Sequence, residues 1–215
     1  MLEINVQLKD QTSKTDKEKD NWLTQEQVNK KFEELYKVVD EIKNKRKLSD
    51  TKYVELLDCL ILGLYVLAPP RRNLDYCMMI VDTPIESKEH NYYHKDKFVF
   101  NVYKTSKTYE QQVVPVPEKL NNLIKLYLKF KPKDVPSLLV NYKGRALTSG
   151  TDITRRLIKI FDGAKISSSM LRKIYLSSKY SDVMDELDAD VTAMGTSVST
   201  TASRRIITSK IKPKE

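Results

Sequence analysis

The sequence is poor in cysteine and histidine, and each scarcity excludes a class of protein. Of 215 residues, two are Cys and two are His. Cys59 and Cys77 stand in apolar stretches and predict reduced core residues instead of a disulfide framework, which favours an intracellular protein. His90 and His94 lie in a polar stretch without cysteine neighbours. We therefore predict no zinc site or other metal, and no cofactor.

Long apolar runs are also missing. The longest, over residues 56–70, contains Asp58 and ends in two prolines. It is shorter than the roughly 20 residues that a membrane span needs, so we predict a buried core helix and no membrane association. The first six residues are too few and too polar for a signal peptide. The expected location is intracellular, in cytoplasm, nucleus or virion.

Lysine and arginine outnumber the acidic residues, and the excess positive charge is distributed unevenly along the chain. The formal charge is +9. Residues 121–180 carry thirteen Lys and Arg against three Asp, whereas residues 181–196 carry five acidic residues and no Lys or Arg. A basic domain of this kind favours a nucleic-acid partner, with an anionic membrane surface or solubility alone as the alternatives.

Hydrophobic periodicity predicts an α+β chain, mostly helical, with a small antiparallel sheet. Thr24 and Gln27 form the pattern of a capping box before a helix with one apolar face. A second helix is predicted from Ser49 to the prolines at 69–70, which cannot continue it. The predicted strands are 97–103, paired with 112–116, and 138–140; the later helices are 168–179, 182–194 and 198–207; residues 82–96 are predicted to be a polar loop.

The same patterns divide the chain into three parts. Residues 1–22 are rich in charged residues and carry no large apolar residue between Leu8 and Trp22, which predicts a flexible polar arm. Residues 23–207 are predicted to form the main domain. Residues 208–215 form a basic tail.

Three basic residues stand in distinctive contexts. Arg72 follows Pro-Pro-Arg, Lys104 lies in Tyr-Lys-Thr-Ser-Lys between the two predicted strands, and Arg172 lies in Ser-Met-Leu-Arg-Lys. The planar fork of arginine bonds two phosphate oxygens at once. A lysine on a mobile hairpin can protonate a leaving oxygen. The three residues together predict a phosphate site.

In order and spacing these segments resemble the catalytic domain of tyrosine recombinases, the phage-integrase family. Arg72 with Asp75 matches the first-arginine motif Arg-x-x-(Glu/Asp), with Arg71 as the alternative. Lys104 matches the hairpin lysine. Ser169-Met-Leu-Arg172 matches His-x-x-Arg, with Ser in place of His. The resemblance covers residues 25–207 and implies a tyrosine-recombinase-like fold.

Two positions depart from the family pattern. Met-Gly-Thr-Ser at 194–197 resembles the Leu-Gly-His-Ser element, with Thr196 in place of His. The nucleophilic tyrosine belongs eight or nine residues later, which is Arg204 or Arg205, and no tyrosine follows Tyr180 in the sequence. Because the tyrosine attacks the phosphate in this family, the resemblance implies that strand cleavage is lost.

Three functions remain open at this point. The first is a cleavage-deficient protein that binds double-stranded DNA. The second is an active integrase or recombinase with another nucleophile, and the third is a structural or interaction protein that reuses the fold. The resemblance also implies a viral or mobile-element origin and a homo-oligomer formed through the C-terminal helix. Further expected DNA contacts are Arg71, Lys107, Arg155, Arg156 and Lys173.

Overall fold

Helices form most of the structure, and a small four-stranded sheet accompanies them. The computed structural model describes residues 20–77, 79–81 and 88–193. The predicted α+β class is confirmed. The elements in chain order are α1 (Gln25–Ile42), α2 (Asp50–Val66), α3 (Asn73–Cys77), β1 (Met79–Val81), β2 (Asn91–His94), β3 (Lys97–Phe100), α4 (Ser106–Tyr109), β4 (Gln112–Pro115), α5 (Glu118–Phe130), α6 (Gly150–Ile160) and α7 (Ser168–Ala193).

Contacts divide the chain into two compact units, residues 1–174 and 175–215. In the first unit, Trp22 packs against the hydrophobic core, and the Asn21 Oδ1 atom accepts a hydrogen bond from the Lys165 backbone N–H at 2.8 Å. The predicted arm over residues 1–22 falls largely outside the described residues. The predicted helix over 198–207 and the tail over 208–215 lie wholly outside them.

Both helix starts predicted from side-chain caps are confirmed. Thr24 and Gln27 form the reciprocal capping box at the start of α1. Ser49 caps α2 by accepting a hydrogen bond from the Lys52 N–H. These bonds satisfy backbone donors that a helix cannot satisfy internally.

The helix α2 is the core element of the first unit. Ten of its seventeen residues are buried, and it packs against α1, α5 and α6. Burying a leucine such as Leu60 contributes about 1.5–3 kcal/mol. Gly63 lies where the helices approach most closely, since a Cβ atom there would be 3.1 Å from Leu123 and 3.3 Å from Phe32. The helix ends at Val66, before the two prolines, as predicted.

The sheet has the order β1-β2-β3-β4 and is mixed, which corrects the predicted antiparallel sheet. The predicted pair is present, because β3 and β4 run antiparallel with Val99 opposite Val113. The strands β1 and β2 pair in parallel and were not predicted. They have three and four residues, and β2 reads Asn-Tyr-Tyr-His, which is too short and too polar for a clear alternation.

Two further predictions differ from the structure. The two helices predicted over 168–179 and 182–194 are one helix, α7, from Ser168 to Ala193. Residues 138–140, predicted as a strand, contain a single isolated bridge, between Val140 and Ala146. Among the helices that the structure describes, none combines the length and the apolar character needed to span a membrane.

Candidate functional site

The three basic residues singled out in the sequence lie in the wall of one cavity of about 370 Å³. We call this cavity the basic pocket. Four cations and one carboxylate contribute to it, which gives a formal charge of +3. Its lining residues are Pro70, Arg71, Arg72, Asp75, Tyr103, Lys104, Thr105, Tyr109, Gln112 and Arg172.

The segment that follows α2 contains two adjacent arginines that line the pocket, and their surroundings differ. The Arg71 Nε–H donates to Asp75 Oδ2 at 2.9 Å, and its Nη1–H donates to Gln112 Oε1 at 2.9 Å. The Arg71 guanidinium carbon also lies 3.7 Å from the centre of the Phe100 ring. Arg72 is exposed. Arg71 therefore braces the wall, while Arg72 faces solvent at the position that the sequence motif assigns to a phosphate contact.

Asp75 is the buried acid beneath these arginines. Its side chain is 5% exposed, and its Oδ1 atom has no hydrogen-bond partner among the described residues. Burial raises the pKa of the Asp75 carboxyl above its ordinary value, and the Arg71 guanidinium opposes that shift. The carboxylate offsets one positive charge of the pocket and fixes the direction of Arg71.

The loop that carries Lys104 is anchored by a buried asparagine. Asn91 is fully buried at the start of β2. Its Nδ2 atom donates to the carbonyl oxygens of Asp75 at 3.0 Å and Val102 at 2.8 Å, and its Oδ1 atom accepts from the N–H groups of Asn101 and Val102 at 2.8 Å. One side chain thus ties α3, which follows Arg72, to the residues just before Lys104.

The connection between β3 and β4 is more ordered than a simple hairpin turn. It contains the single-turn helix α4, and the Tyr103 Oη–H donates to the Glu110 carbonyl oxygen at 2.8 Å across the loop. Glu110 has φ of +52°, a left-handed conformation that is uncommon for a residue with a side chain. Lys107 is exposed on α4 and lies outside the pocket lining.

Arg172 reaches the pocket from the first turns of α7. Its neighbours Leu171 and Ile174 are buried, which leaves the half-buried Arg172 on the pocket side. Ser169, which replaces the family's histidine, is exposed and lies outside the pocket lining, as does Lys173. Thr196 and Arg205 lie outside the described residues.

The two arginines expected on α6 do not line the basic pocket. The Arg156 Nε–H donates to Asp58 Oδ1 at 2.6 Å, and the two side chains form a largely buried ion pair. Burial raises the pKa of the Asp58 carboxyl, and Arg156 opposes the shift. Arg155 is 73% exposed, with a long contact of 3.8 Å to Asp152. Arg156 therefore holds α6 against α2, and only Arg155 presents an open guanidinium to solvent.

Sequence reasoning missed two tyrosines, a glutamine and a threonine of the pocket wall. Tyr109 is 63% exposed, and it lies only five residues beyond Lys104 in the predicted hairpin. That proximity is a usable signal for Tyr109. Gln112 and Asn91 carry no such signal, because their roles depend on hydrogen bonds to residues of other elements, Arg71 and Asp75.

The chemistry of the pocket is that of an anion site built from side chains. No group of three or more His, Cys, Asp or Glu suited to a metal occurs in the described ranges 20–77, 79–81 and 88–193. Burial raises the pKa of the Cys59 and Cys77 thiols to about 12, so both stay protonated and unreactive. The groups that can act on a ligand are the guanidinium, ammonium and hydroxyl groups of the pocket wall.

Comparison with protein-family models, with curated proteins and with solved structures found no match.

Proposed function

We propose that the chain is a double-stranded-DNA-binding protein of the tyrosine recombinase type that grips a backbone phosphate in the basic pocket and does not cleave the strand. The observation that carries the proposal is the convergence of Arg72, Lys104 and Arg172. They come from three segments far apart in the sequence and line one cavity. Isolated surface cations at random positions would not be expected to meet in this way.

The pocket suits a phosphodiester for physical reasons. Two guanidinium groups can each donate two parallel hydrogen bonds to the non-bridging oxygens. Lys104 adds a point charge on an exposed loop, where it can approach a bridging oxygen. The formal charge of +3 draws in a polyanion, and such binding is strongly salt-dependent.

The proposed lack of cleavage follows from the sequence. Arg204 and Arg205 occupy the places where the family's nucleophilic tyrosine belongs, and a guanidinium cannot form a stable phosphodiester bond. Thr196 replaces a histidine and offers weaker proton transfer. The same arginine and lysine groups that would stabilise a transition state remain available for binding.

A second candidate function, strand cleavage, is favoured by Tyr109. This exposed tyrosine lines the same cavity as the three cations. Its phenol oxygen would attack the phosphorus as the phenol proton passes to water at this exposed position. The bond from phosphorus to the sugar oxygen would break, and that oxygen would take a proton from Lys104.

Binding and cleavage are tested separately. The Arg72→Ala/Arg172→Ala double variant should bind labelled duplex DNA at least roughly tenfold more weakly, because hydrogen bonds to charged groups contribute about 1.5–3 kcal/mol each. The matched control is Lys30→Ala/Lys37→Ala, which removes the same charge from exposed positions on α1. Equal affinity of the pocket variant and the control in an anisotropy titration contradicts the proposal.

Cleavage is tested by incubating the protein with nicked duplex DNA and resolving the products on a denaturing gel. The proposal predicts no covalent adduct. An adduct that disappears in Tyr109→Phe would assign cleavage to Tyr109. An adduct that persists in that variant would mean that another nucleophile acts.

A further inference from the structure

A second basic surface begins at the opposite end of α2 from the basic pocket. Two clefts, of about 250 and 430 Å³, both include Tyr142 in their walls. We call them together the Tyr142 surface. Its tyrosine ring and exposed cations are those of Tyr142, Arg46, Lys47, Lys129, Arg155 and Lys159.

The first cleft is well separated from the basic pocket, and the second shares no lining residue with it. Asp50, in the first turn of α2, lines the first cleft, whereas Arg71 and Arg72 follow the last turn. Seventeen helical residues lie between these ends, and at 1.5 Å per residue they span roughly 24 Å. A phosphate held in the basic pocket therefore cannot also contact the first cleft.

A tightly bonded turn presents the Tyr142 ring. The Asn141 Oδ1 atom accepts from the N–H groups of Lys143 at 2.9 Å and Arg145 at 3.0 Å. The Asn141 N–H donates to the Arg145 carbonyl oxygen at 2.8 Å, and Gly144 supplies the left-handed φ of +76° that closes the turn. The ring is nevertheless 45% exposed. The turn thus fixes the backbone beneath a partly exposed aromatic ring, whose centre lies 5.6 Å from the Lys143 Nζ atom.

Cations flank this ring on both sides. Arg46, Lys47 and Lys129 lie in one cleft, and Arg155 and Lys159 in the other. Against these five cations stand only Asp50 and Asp152, since Arg156 is paired with Asp58. The formal charge of the Tyr142 surface is +3.

The larger cleft is apolar beside the ring. Val54, Leu57, Leu147 and Ile158 contribute to its wall. An apolar slot next to an exposed aromatic ring fits a flat, unstacked base, while flanking cations fit the phosphates on either side of it. In a duplex the faces of the bases are covered by their neighbours, so the ring has nothing to stack on there.

We infer that the Tyr142 surface binds single-stranded nucleic acid, with one base stacked on Tyr142 and the adjacent phosphates on Arg46, Lys47, Arg155 and Lys159. The surface is separate from the basic pocket, so the two sites succeed or fail independently. A protein with both would hold a duplex at one site and a single strand at the other.

The test is anisotropy titration of fluorescein-labelled oligothymidine and of a labelled duplex with four variants. Tyr142→Ala should weaken oligothymidine binding by roughly tenfold, because stacking of one base contributes about 1–3 kcal/mol. Tyr142→Phe keeps the ring and should stay close to the wild type. The matched control is Tyr180→Ala, which removes a tyrosine that is also 45% exposed.

The fourth variant, Arg72→Ala/Arg172→Ala, separates this inference from the proposed function. It should weaken duplex binding and leave oligothymidine binding unchanged. Wild-type affinity of Tyr142→Ala for oligothymidine, or a loss shared equally with the duplex, overturns the inference even where the basic pocket binds DNA. Unchanged thermal melting of the Tyr142 variants confirms that the fold is intact.

Discussion

The two basic sites at the ends of α2 carry the same formal charge but are built differently. In the basic pocket, Arg71 is held by Asp75, by Gln112 and by the Phe100 ring. On the Tyr142 surface the cation Arg155 is open to solvent, and the ordered part is the turn that presents an aromatic ring. A braced wall beneath the cations suits one phosphate of defined position, whereas exposed cations around a ring suit a flexible strand.

Replacing Asp75, the buried acid of the basic pocket, should cause the largest loss of stability. Asp75→Ala leaves the partly buried Arg71 without its ion-pair partner. Breaking such a pair lowers the free energy of unfolding by about 3 kcal/mol or more. Urea denaturation measures the loss. The matched variant Asp152→Ala, at one of the two acids of the Tyr142 surface, loses a 3.8 Å contact to the exposed Arg155 and the capping hydrogen bond from the Ser149 N–H. It should cost less, about 0.5–2 kcal/mol.

The second-largest loss of stability is expected from replacing Asn91, the asparagine that anchors the loop of Lys104. Asn91→Ala removes four hydrogen bonds and leaves the N–H groups of Asn101 and Val102 without their partner. We expect a loss of about 2–3 kcal/mol, since each unsatisfied buried group costs about 1–3 kcal/mol. Duplex affinity should also fall, because the loop that carries Lys104 loosens. Full stability and full affinity of this variant would contradict the anchoring role.

Asn91 shows where sequence reasoning stops. Arg72, Asp75, Lys104 and Arg172 were predicted because the short segments that contain them resemble motifs of a known family in order and spacing. Asn91 was assigned to a polar loop, since its four partners belong to segments that only the folded sheet brings together. The mixed sheet was missed for the same reason, because β1 and β2 are stabilised by pairing and not by local pattern.

Replacing either of the two adjacent arginines, Arg71 or Arg72, by lysine should have a smaller effect. Arg71→Lys loses the planar stacking on Phe100 and at least one of two directed hydrogen bonds, and should cost about 1–2 kcal/mol of stability. Arg72→Lys should leave stability unchanged and weaken duplex binding. A thermal melt and an anisotropy titration of both variants check the pair. The reverse pattern would make Arg71 the phosphate contact.

The smallest expected effect is the pH dependence contributed by Asp75. Its folded-state pKa is raised above the ordinary value of 3.8, so the folded chain binds the proton more tightly than the unfolded chain. The resulting stabilisation is full below about pH 3.8 and is lost as the pH rises through the folded-state pKa. The stability of the wild type relative to Asp75→Asn should therefore fall over that window. Urea midpoints at several pH values measure it, and an opposite slope would show that Arg71 outweighs burial.

The dependence of duplex affinity on salt tests the central claim most directly. In B-DNA the logarithm of the binding constant falls with the logarithm of salt concentration by about 0.9 for each neutralised phosphate charge. Because the proposal places Arg72 and Arg172 on the same backbone phosphate, their joint replacement by alanine should reduce this slope by about 0.9. The Lys30→Ala/Lys37→Ala control should keep the wild-type slope. A slope that is the same in the wild type and the arginine variant would contradict the proposal that the basic pocket holds DNA.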